Sequence, residues 1–200
     1  MTIAKGYNQT AYMAILLALY TGMRIGEIFG LLWVNVDFDA KMVYVKQSVV
    51  STNHGYRLEL SPKTKSSYRQ IALPKIVLSG LREHRAWQEQ QKELWLDRYK
   101  DNDLVISAAD GDYKDPSNFS GDIFKHLLAM AGIDKSVRFH DLRHTHATWL
   151  LEKNTHPKVV SERLGHSSIR ITLDTYSHVI NGLQKAAVTK LDEIAAEFDE

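Results

Sequence analysis

The sequence predicts an α+β domain, mainly α-helical, in which a small three-stranded antiparallel sheet lies beside a helical bundle. Two observations predict this class. Most of the chain has apolar residues at helical spacing, and three short segments typical of strands, the first of them β-branched and alternating, follow one another between residues 42 and 73. With 200 residues, of which 44% are hydrophobic, the chain can bury a core. No long linker interrupts it, so we expect a single domain over residues 1–200.

Two helices are predicted before the sheet. The first is the apolar run Tyr12–Tyr20, which Thr21-Gly22 ends, and the second is Arg24–Leu32. Arg24 lies in the first turn of the second helix and can point away from its apolar side, where a guanidinium can bind a phosphate. Glu27, one turn later, can pair with it. A surface arginine with a local partner is the alternative.

The sheet region is basic. Its predicted strands are Met42–Val50, Tyr56–Leu60 and Tyr68–Leu73. The turn at 61–67 carries Lys63 and Lys65, and a lysine on such a turn can enter a DNA groove and reach a leaving oxygen. Simple solvation of these lysines is the alternative.

The rest of the chain is predicted to be helical apart from a short strand at Leu104–Ile106. The predicted helices are Pro74–Tyr99, Phe119–Ala131, Asp141–Lys153, Pro157 to Gly165, and a short one leading to Tyr176. Ser117 and Ser167-Ser168 are predicted N-caps. A terminal amphipathic helix from Leu183 to Phe198 should pack on this domain or on a neighbour.

Charge is distributed unevenly although the net charge is only +1. Seven lysines and arginines stand against the single acid Glu59 between residues 41 and 75, whereas seven aspartates dominate residues 97–122. This asymmetry allows one face to bind a polyanion. A mixed solvated surface is the alternative.

Composition excludes several classes of site. The chain has no cysteine, which excludes a disulfide framework, a thiolate metal site and a thiol nucleophile, and is consistent with the cytoplasm. The strongly apolar run Ala14–Leu19 is too short to span a bilayer.

Residues suited to phosphoryl transfer are concentrated near the C-terminus. His140 and Arg143 lie one helical turn apart and can address one phosphate, His166 follows a glycine, and Tyr176 comes ten residues later. Cleaving a phosphodiester without metal or nucleotide requires a nucleophile, cations for the phosphate oxygens, and acid–base groups. Each requirement has a candidate here.

These residues occur in sequence blocks that resemble those of the tyrosine recombinases, the phage integrase family. The blocks are Thr21-Gly22-Met23-Arg24-Ile25-Gly26-Glu27, His140-Asp141-Leu142-Arg143, Leu164-Gly165-His166 and Thr175-Tyr176-Ser177-His178. They occur in the family's order and span nearly the whole chain. The residues in these blocks are most similar to those of integrases of phages and conjugative transposons of Gram-positive bacteria.

The resemblance implies how the phosphate is bound. Arg24, Arg143 and His166 would hold the scissile phosphate, and His140 would assist as a donor or proton acceptor. It implies no metal ion and no cofactor.

The resemblance also implies the reacting groups. Tyr176 would be the nucleophile that forms a 3′-phosphotyrosine, and Lys65 would be the general acid, with Lys63 the less favoured choice. The fold implied is the tyrosine recombinase catalytic domain.

The implied partners are double-stranded DNA, at attachment or core sites, and other copies of the chain. A homotetramer on DNA would form through the helix at 183–198, and the product would be integration or excision of a mobile element. We expect the chain to be a catalytic domain without the core-binding and arm-binding domains that precede it in the family, and to act in the cytoplasm.

Other functions are compatible with parts of the sequence. His140 and His144 have the spacing of a zinc-binding helix, which would indicate a zinc hydrolase. A catalytically inactive DNA-binding module of the same fold and a type IB topoisomerase are further alternatives. The remaining histidines are predicted to be surface or packing residues: His54, His84, His126, His146, His156 and His178.

Overall fold

Helix α2 (Gln9–Thr21) occupies the centre of the computed structural model, which describes residues 1–53, 55–60, 68–180 and 183–198. Ten of its thirteen residues are buried. It packs against α1 (Thr2–Tyr7), α4 (Lys75–Trp95) and α7 (Asp141–Glu152). Because three helices cover it, α2 is apolar on nearly all sides and not on a single stripe.

Helix α3 (Ile25–Phe29) is shorter than the predicted helix Arg24–Leu32, and Arg24 is its N-cap. It ends at Gly30, where an added Cβ would lie 2.8 Å from the backbone of Ser48. This close approach of two backbones needs glycine and stops the helix. The chain then continues extended, and Leu32 forms an antiparallel bridge to Leu104.

The strands form two small antiparallel sheets, which confirms the predicted α+β class but changes the pairing. The strands are β1 (Val36–Asp37), β2 (Met42–Val45), β3 (Gln47–Thr52), β4 (Gly55–Leu60) and β5 (Arg69–Ala72). One sheet has the order β1-β2-β5, and β3 pairs with β4 in the other. The predicted strand Met42–Val50 is therefore two strands that leave Lys46 between them and pair with different partners.

The middle of the chain is helical with short irregular turns. Helix α4 runs into a 3-10 turn at Leu96–Arg98. Helix α5 (Pro116–Asn118) continues through a π-turn at Phe119–Ile123 into α6 (Phe124–Met130). The predicted cap Ser117 is wrong: the Asp115 side chain accepts the Ser117 N–H at 2.7 Å, because Pro116 occupies the first helical position.

The C-terminal helices are α8 (Pro157–Leu164), α9 (Ile169–Thr175), α10 (Ser177–Ile180) and α11 (Leu183–Phe198). Ser168 caps α9 as predicted, since its side chain accepts the Arg170 N–H. A second small core lies among these helices and α7, formed by Ala147, Leu151, Val160, Leu164 and Tyr176.

Helix α11 leaves apolar side chains uncovered by the described part of this chain. These are Val188, Leu191, Ile194 and Phe198, with exposures of 56%, 64%, 49% and 85%. In the described ranges, no helix is both long and apolar enough to cross a membrane.

Candidate functional site

Three arginines from distant parts of the chain meet at the C-terminal end of α8. Nε of Arg69 donates to the Arg163 carbonyl at 2.8 Å, and Nη2 of Arg143 donates to the Leu164 carbonyl at 2.7 Å. Nη2 of Arg24 lies 3.4 Å from the Gly165 carbonyl. The last carbonyls of a helix lack intrahelical partners and carry the negative end of its dipole, so they attract cations. Helix α8 thus gathers three positive charges immediately before His166.

Arg143 is the most enclosed of the predicted phosphate ligands, with an exposure of 4%. Its Nη1 donates to the Gly22 carbonyl at 2.6 Å. Burial lowers the pKa of Arg143 to about 9, with smaller effects of the same sign from Arg24 and Arg69. A guanidinium in such surroundings gains from an anion more than a solvated one does.

Glu27 fixes the two other arginines. It accepts two hydrogen bonds from Arg69, at 2.9 and 2.7 Å, and its Oε1 accepts Nη1 of Arg24 at 2.9 Å. Burial would raise the pKa of Glu27, but the bonds and charge of Arg69, and then those of Arg24, outweigh it and lower the pKa. Glu27 therefore stays charged, and the predicted Arg24–Glu27 pair is confirmed.

Two glycines in left-handed conformation shape the backbone around these contacts. Gly22 has a φ of 68°, and a Cβ there would lie 2.7 Å from the His146 ring. Gly165 has a φ of 69°, and a Cβ there would lie 2.9 Å from Nη1 of Arg69. Both positions require glycine for conformation and for space.

His166 follows the three carbonyls directly. Its Nδ1 lies 2.8 Å from the Oγ1 of Thr172, which is fully buried. Burial lowers the pKa of His166 to about 4, assisted by the positive charges of Arg143, Arg24 and Arg69. The ring is thus neutral at pH 7 and lies within the field of all three arginines.

Tyr176 caps the C-terminal end of α9 and has an exposure of only 3%. Its hydroxyl lies 2.9 Å from Nδ1 of His144. Burial raises the pKa of Tyr176, whereas the charge of Arg143 acts in the opposite direction. The charge of Arg143 therefore acts on the predicted nucleophile, whose ring packs into the small core.

His140 is the N-cap of α7, one turn before His144. The two rings meet edge to face with centroids 5.0 Å apart. Burial, then the charges of His144 and Arg143, lowers the pKa of His140. Among the described residues, no third histidine, aspartate or glutamate joins these two in a group that could hold a metal ion.

Residues 2–181 match the phage integrase family. The chain belongs to that family. The resemblance drawn from the sequence blocks is confirmed, because the match covers all of them.

The similar curated proteins are tyrosine recombinases and integrases. The chain is 37% identical over 202 residues to a XerC-like tyrosine recombinase of Caldanaerobacter subterraneus, covering 95% of this chain and 50% of that protein. It is 31% identical to the ICEBs1 integrase of Bacillus subtilis, covering 88% of this chain and 47% of that protein. The chain thus spans about half the length of these relatives.

Similar solved structures have the same fold. The Tn1549 transposon integrase in complex with transposon right-end DNA matches with a TM-score of 0.80 and 24% identity, over 96% of this chain and 62% of that one. The same integrase in complex with a circular-intermediate DNA is 26% identical, with a TM-score of 0.79, over 95% of this chain and 62% of that one. XerA recombinase matches with a TM-score of 0.69.

Within this integrase-family domain, the structure brings together Arg24, Arg143 and His166, and it places His140 and Tyr176 around His144. Lys65 and Lys63 lie outside the described residues, as does His54. The sequence blocks do not predict that Arg69 belongs to the site or that His144 contacts Tyr176. No local pattern marks Arg69 as a partner of Glu27, 42 positions away.

Proposed function

We propose that this chain is the catalytic part of a site-specific DNA recombinase. It cleaves and rejoins strands of duplex DNA through a covalent 3′-phosphotyrosine, for the integration or excision of a mobile element. The observation that carries the proposal is the convergence of Arg24, Arg143 and His166 at the end of α8, with the Tyr176 hydroxyl 2.9 Å from His144, the residue that follows Arg143 on α7.

The two arginines supply the positive charge that phosphoryl transfer needs. A guanidinium has five N–H donors in a planar fork, so two bonds to carbonyls leave Arg143 with capacity to bind phosphate oxygens. Arg24 is half exposed and faces solvent next to the same helix end. A phosphate bound between them has its developing negative charge neutralised in fixed geometry.

His166 contributes a hydrogen bond that strengthens when phosphate is bound. In the free domain its ring is neutral because of burial and three nearby cations. A phosphate anion among those cations favours the imidazolium, which raises the pKa and gives the ring a second donor. His140, one turn before His144 on α7, assists as a hydrogen-bond donor or proton acceptor.

The reacting groups complete the reaction. The Tyr176 oxygen attacks phosphorus, and Lys65 protonates the departing 5′ oxygen, with Lys63 as the alternative acid. A phenolate leaves phosphorus more easily than an alkoxide does, so the linkage conserves the bond energy and the strand can be resealed without a nucleotide. The mechanism uses no metal ion.

The partners are duplex DNA and other copies of the chain. Related solved structures are in complex with DNA, and the basic segment between residues 41 and 75 suits the phosphate backbone. Four copies assemble on DNA through α11, whose exposed apolar side chains need a covering surface. The similarity to integrases and to a Tn916 transposase favours a mobile element as the source.

A nicked suicide duplex tests the proposal. The duplex carries the end of the genetic element that encodes the chain, and the nick lets the cleaved fragment diffuse away, so that the phosphotyrosine accumulates. We expect a covalent protein–DNA band on a denaturing gel, in EDTA and without nucleotide, and none with Tyr176→Phe.

The matched control is Tyr7→Phe, since Tyr7 is 46% exposed and lies on α1. This variant should give the wild-type band. A band that persists with Tyr176→Phe would reject Tyr176 as the nucleophile. Duplex binding without any covalent band would favour the inactive DNA-binding module.

A further inference from the structure

A histidine lies against the oxygen of the proposed nucleophile. Nδ1 of His144 is 2.9 Å from the Tyr176 hydroxyl, although the two residues are 32 positions apart. His144 is on the first turn of α7 and Tyr176 at the end of α9, so the contact depends on how α8 and α10, which pack on α7, position the end of α9. The small core around Tyr176 holds the ring in this position.

The hydroxyl must lose a proton when it attacks phosphorus. Burial raises the pKa of Tyr176, so the phenol is protonated at pH 7. The nearby Arg143 can stabilise a phenolate but cannot take a proton, because a guanidinium stays charged in proteins and has no acceptor. The attack therefore needs a separate proton acceptor within hydrogen-bond reach.

His144 meets this requirement. Its Nδ1 accepts the phenol hydrogen when the ring is in the neutral tautomer with hydrogen on Nε2. Nδ1 of His166 is engaged with Thr172. The His140 ring packs edge to face on His144 and restricts how that ring can turn. Nδ1 of His144 is thus the proton acceptor that the described hydrogen bonds place against the Tyr176 hydroxyl, with the His140 ring packed against it.

We propose that His144 is the general base of strand cleavage, an inference that rests on the proposed function. The Tyr176 oxygen forms its bond to phosphorus while its proton passes to Nδ1 of His144. The bond from phosphorus to the 5′ oxygen breaks, and that oxygen takes a proton from the general acid. In rejoining, the 5′ hydroxyl attacks phosphorus and gives its proton back to the deprotonated general acid. The bond from phosphorus to the Tyr176 oxygen breaks, and His144 returns its proton to the phenol.

Two variants separate proton transfer from positioning. His144→Asn places a hydrogen-bond acceptor near the position of Nδ1 but cannot take the proton, and His144→Ala removes both functions. With the nicked suicide duplex, we expect single-turnover cleavage by both variants to fall roughly 100-fold, the usual contribution of a general base. Duplex binding should stay unchanged. Added imidazole should partly restore His144→Ala, because it can enter the vacated space and accept the proton.

A duplex with sulfur in place of the 5′ bridging oxygen assigns the proton transfer to one side of the phosphorus. A thiolate leaves without protonation, so this duplex overcomes defects in the general acid only. Cleavage by His144→Asn should remain slow on it. Restored cleavage would place His144 on the leaving-group side and overturn the proposal.

The matched control is His126→Asn on the exposed surface of α6, which should cleave at the wild-type rate. Thermal unfolding checks that the His144 variants are folded, and imidazole rescue is not expected of a misfolded protein. A wild-type rate for His144→Asn, or no imidazole effect on a folded His144→Ala, would overturn the inference. Failure of the wild type itself to form the covalent band would instead reject the proposed function.

Discussion

Arg69 links the buried Glu27 carboxylate to the C-terminal end of α8. Its side chain and that of Glu27 are 6% and 7% exposed and form a bidentate pair. Arg69 also donates to the end of α8. Removing it would leave a buried carboxylate with only the half-exposed Arg24 as a charged partner.

We predict that Arg69→Ala lowers the free energy of unfolding by about 3–5 kcal/mol, the cost of breaking a buried ion pair. Arg69→Lys should recover only part of the loss, because an ammonium cannot donate the two parallel bonds. Urea unfolding measures both. Arg57→Ala, which breaks an exposed pair with Glu59, is the control and should have little effect. Equal losses for the two alanine variants would contradict the prediction.

At the scale of single residues, the sequence identifies the chemical groups of the site but not their burial or their hydrogen-bond partners. Arg24, Arg143, His166 and Tyr176 stand in blocks with recognisable order, which predicts that they share one site, and the first three do converge at the end of α8. The burial of Tyr176 and its bond to His144 cannot be predicted in this way, because they depend on how α8 and α10 pack on α7. A residue type at a given spacing does not specify which side chain a neighbouring helix will place against it.

At the scale of elements, helix α11 stands out in the described chain because its apolar side chains are exposed. Its exposed apolar residues recur at helical spacing, and acidic residues such as Glu193 lie on the other side. An apolar stripe of this kind is stable in water only when another surface covers it.

We predict that Leu191→Lys disrupts assembly on DNA, because it places a charge in the centre of the stripe. Sedimentation of the protein on a duplex containing two core sites should show loss of the larger complexes. Glu193→Lys introduces the same side chain on the polar face and should leave assembly intact. Similar behaviour of the two variants would reject α11 as the contact between subunits.

The elements themselves are largely predictable, and their pairing is not. Helix ends at Gly22 and Gly165 and the cap at Ser168 follow from local chemistry and are confirmed. The alternating segment at 42–50 predicts a strand, but it cannot reveal that its halves pair with β5 and β4 respectively. Strand partners depend on contacts between distant segments, which periodicity does not encode.

For the whole molecule, buried histidines make stability depend on pH. Burial lowers the pKa of His84 to about 4 and, with the nearby arginines, that of His146 to about 4. In the unfolded chain both return to about 6.5. The unfolded state therefore binds more protons between these values, and the folded state loses stability there as pH falls.

We predict a constant contribution above pH 6.5 and a loss of up to about 1.4 kcal/mol per pH unit for each of the two histidines between pH 6.5 and about 4. Urea unfolding of wild type and His84→Gln across pH 5–7 measures it, since glutamine can keep a donor to the Val105 carbonyl. The slope of the unfolding free energy against pH should correspond to nearly one proton fewer taken up on unfolding in His84→Gln. The exposed control His126→Gln should not show this decrease. Comparing variants removes the contribution of the carboxylates. An unchanged slope would contradict the prediction.

The partners of Arg143 have a consequence for mutational robustness. Both are main-chain oxygens, those of Gly22 and Leu164, and the carbonyls next to Leu164 receive the other two arginines. Every amino acid has a main-chain carbonyl, so substitution of the side chains at the end of α8 leaves these hydrogen-bond acceptors in place. What natural selection must preserve is the path of the backbone, and therefore the glycines that permit it. The hydrogen bonds that hold Arg143 are thus insensitive to most side-chain substitutions at the end of α8.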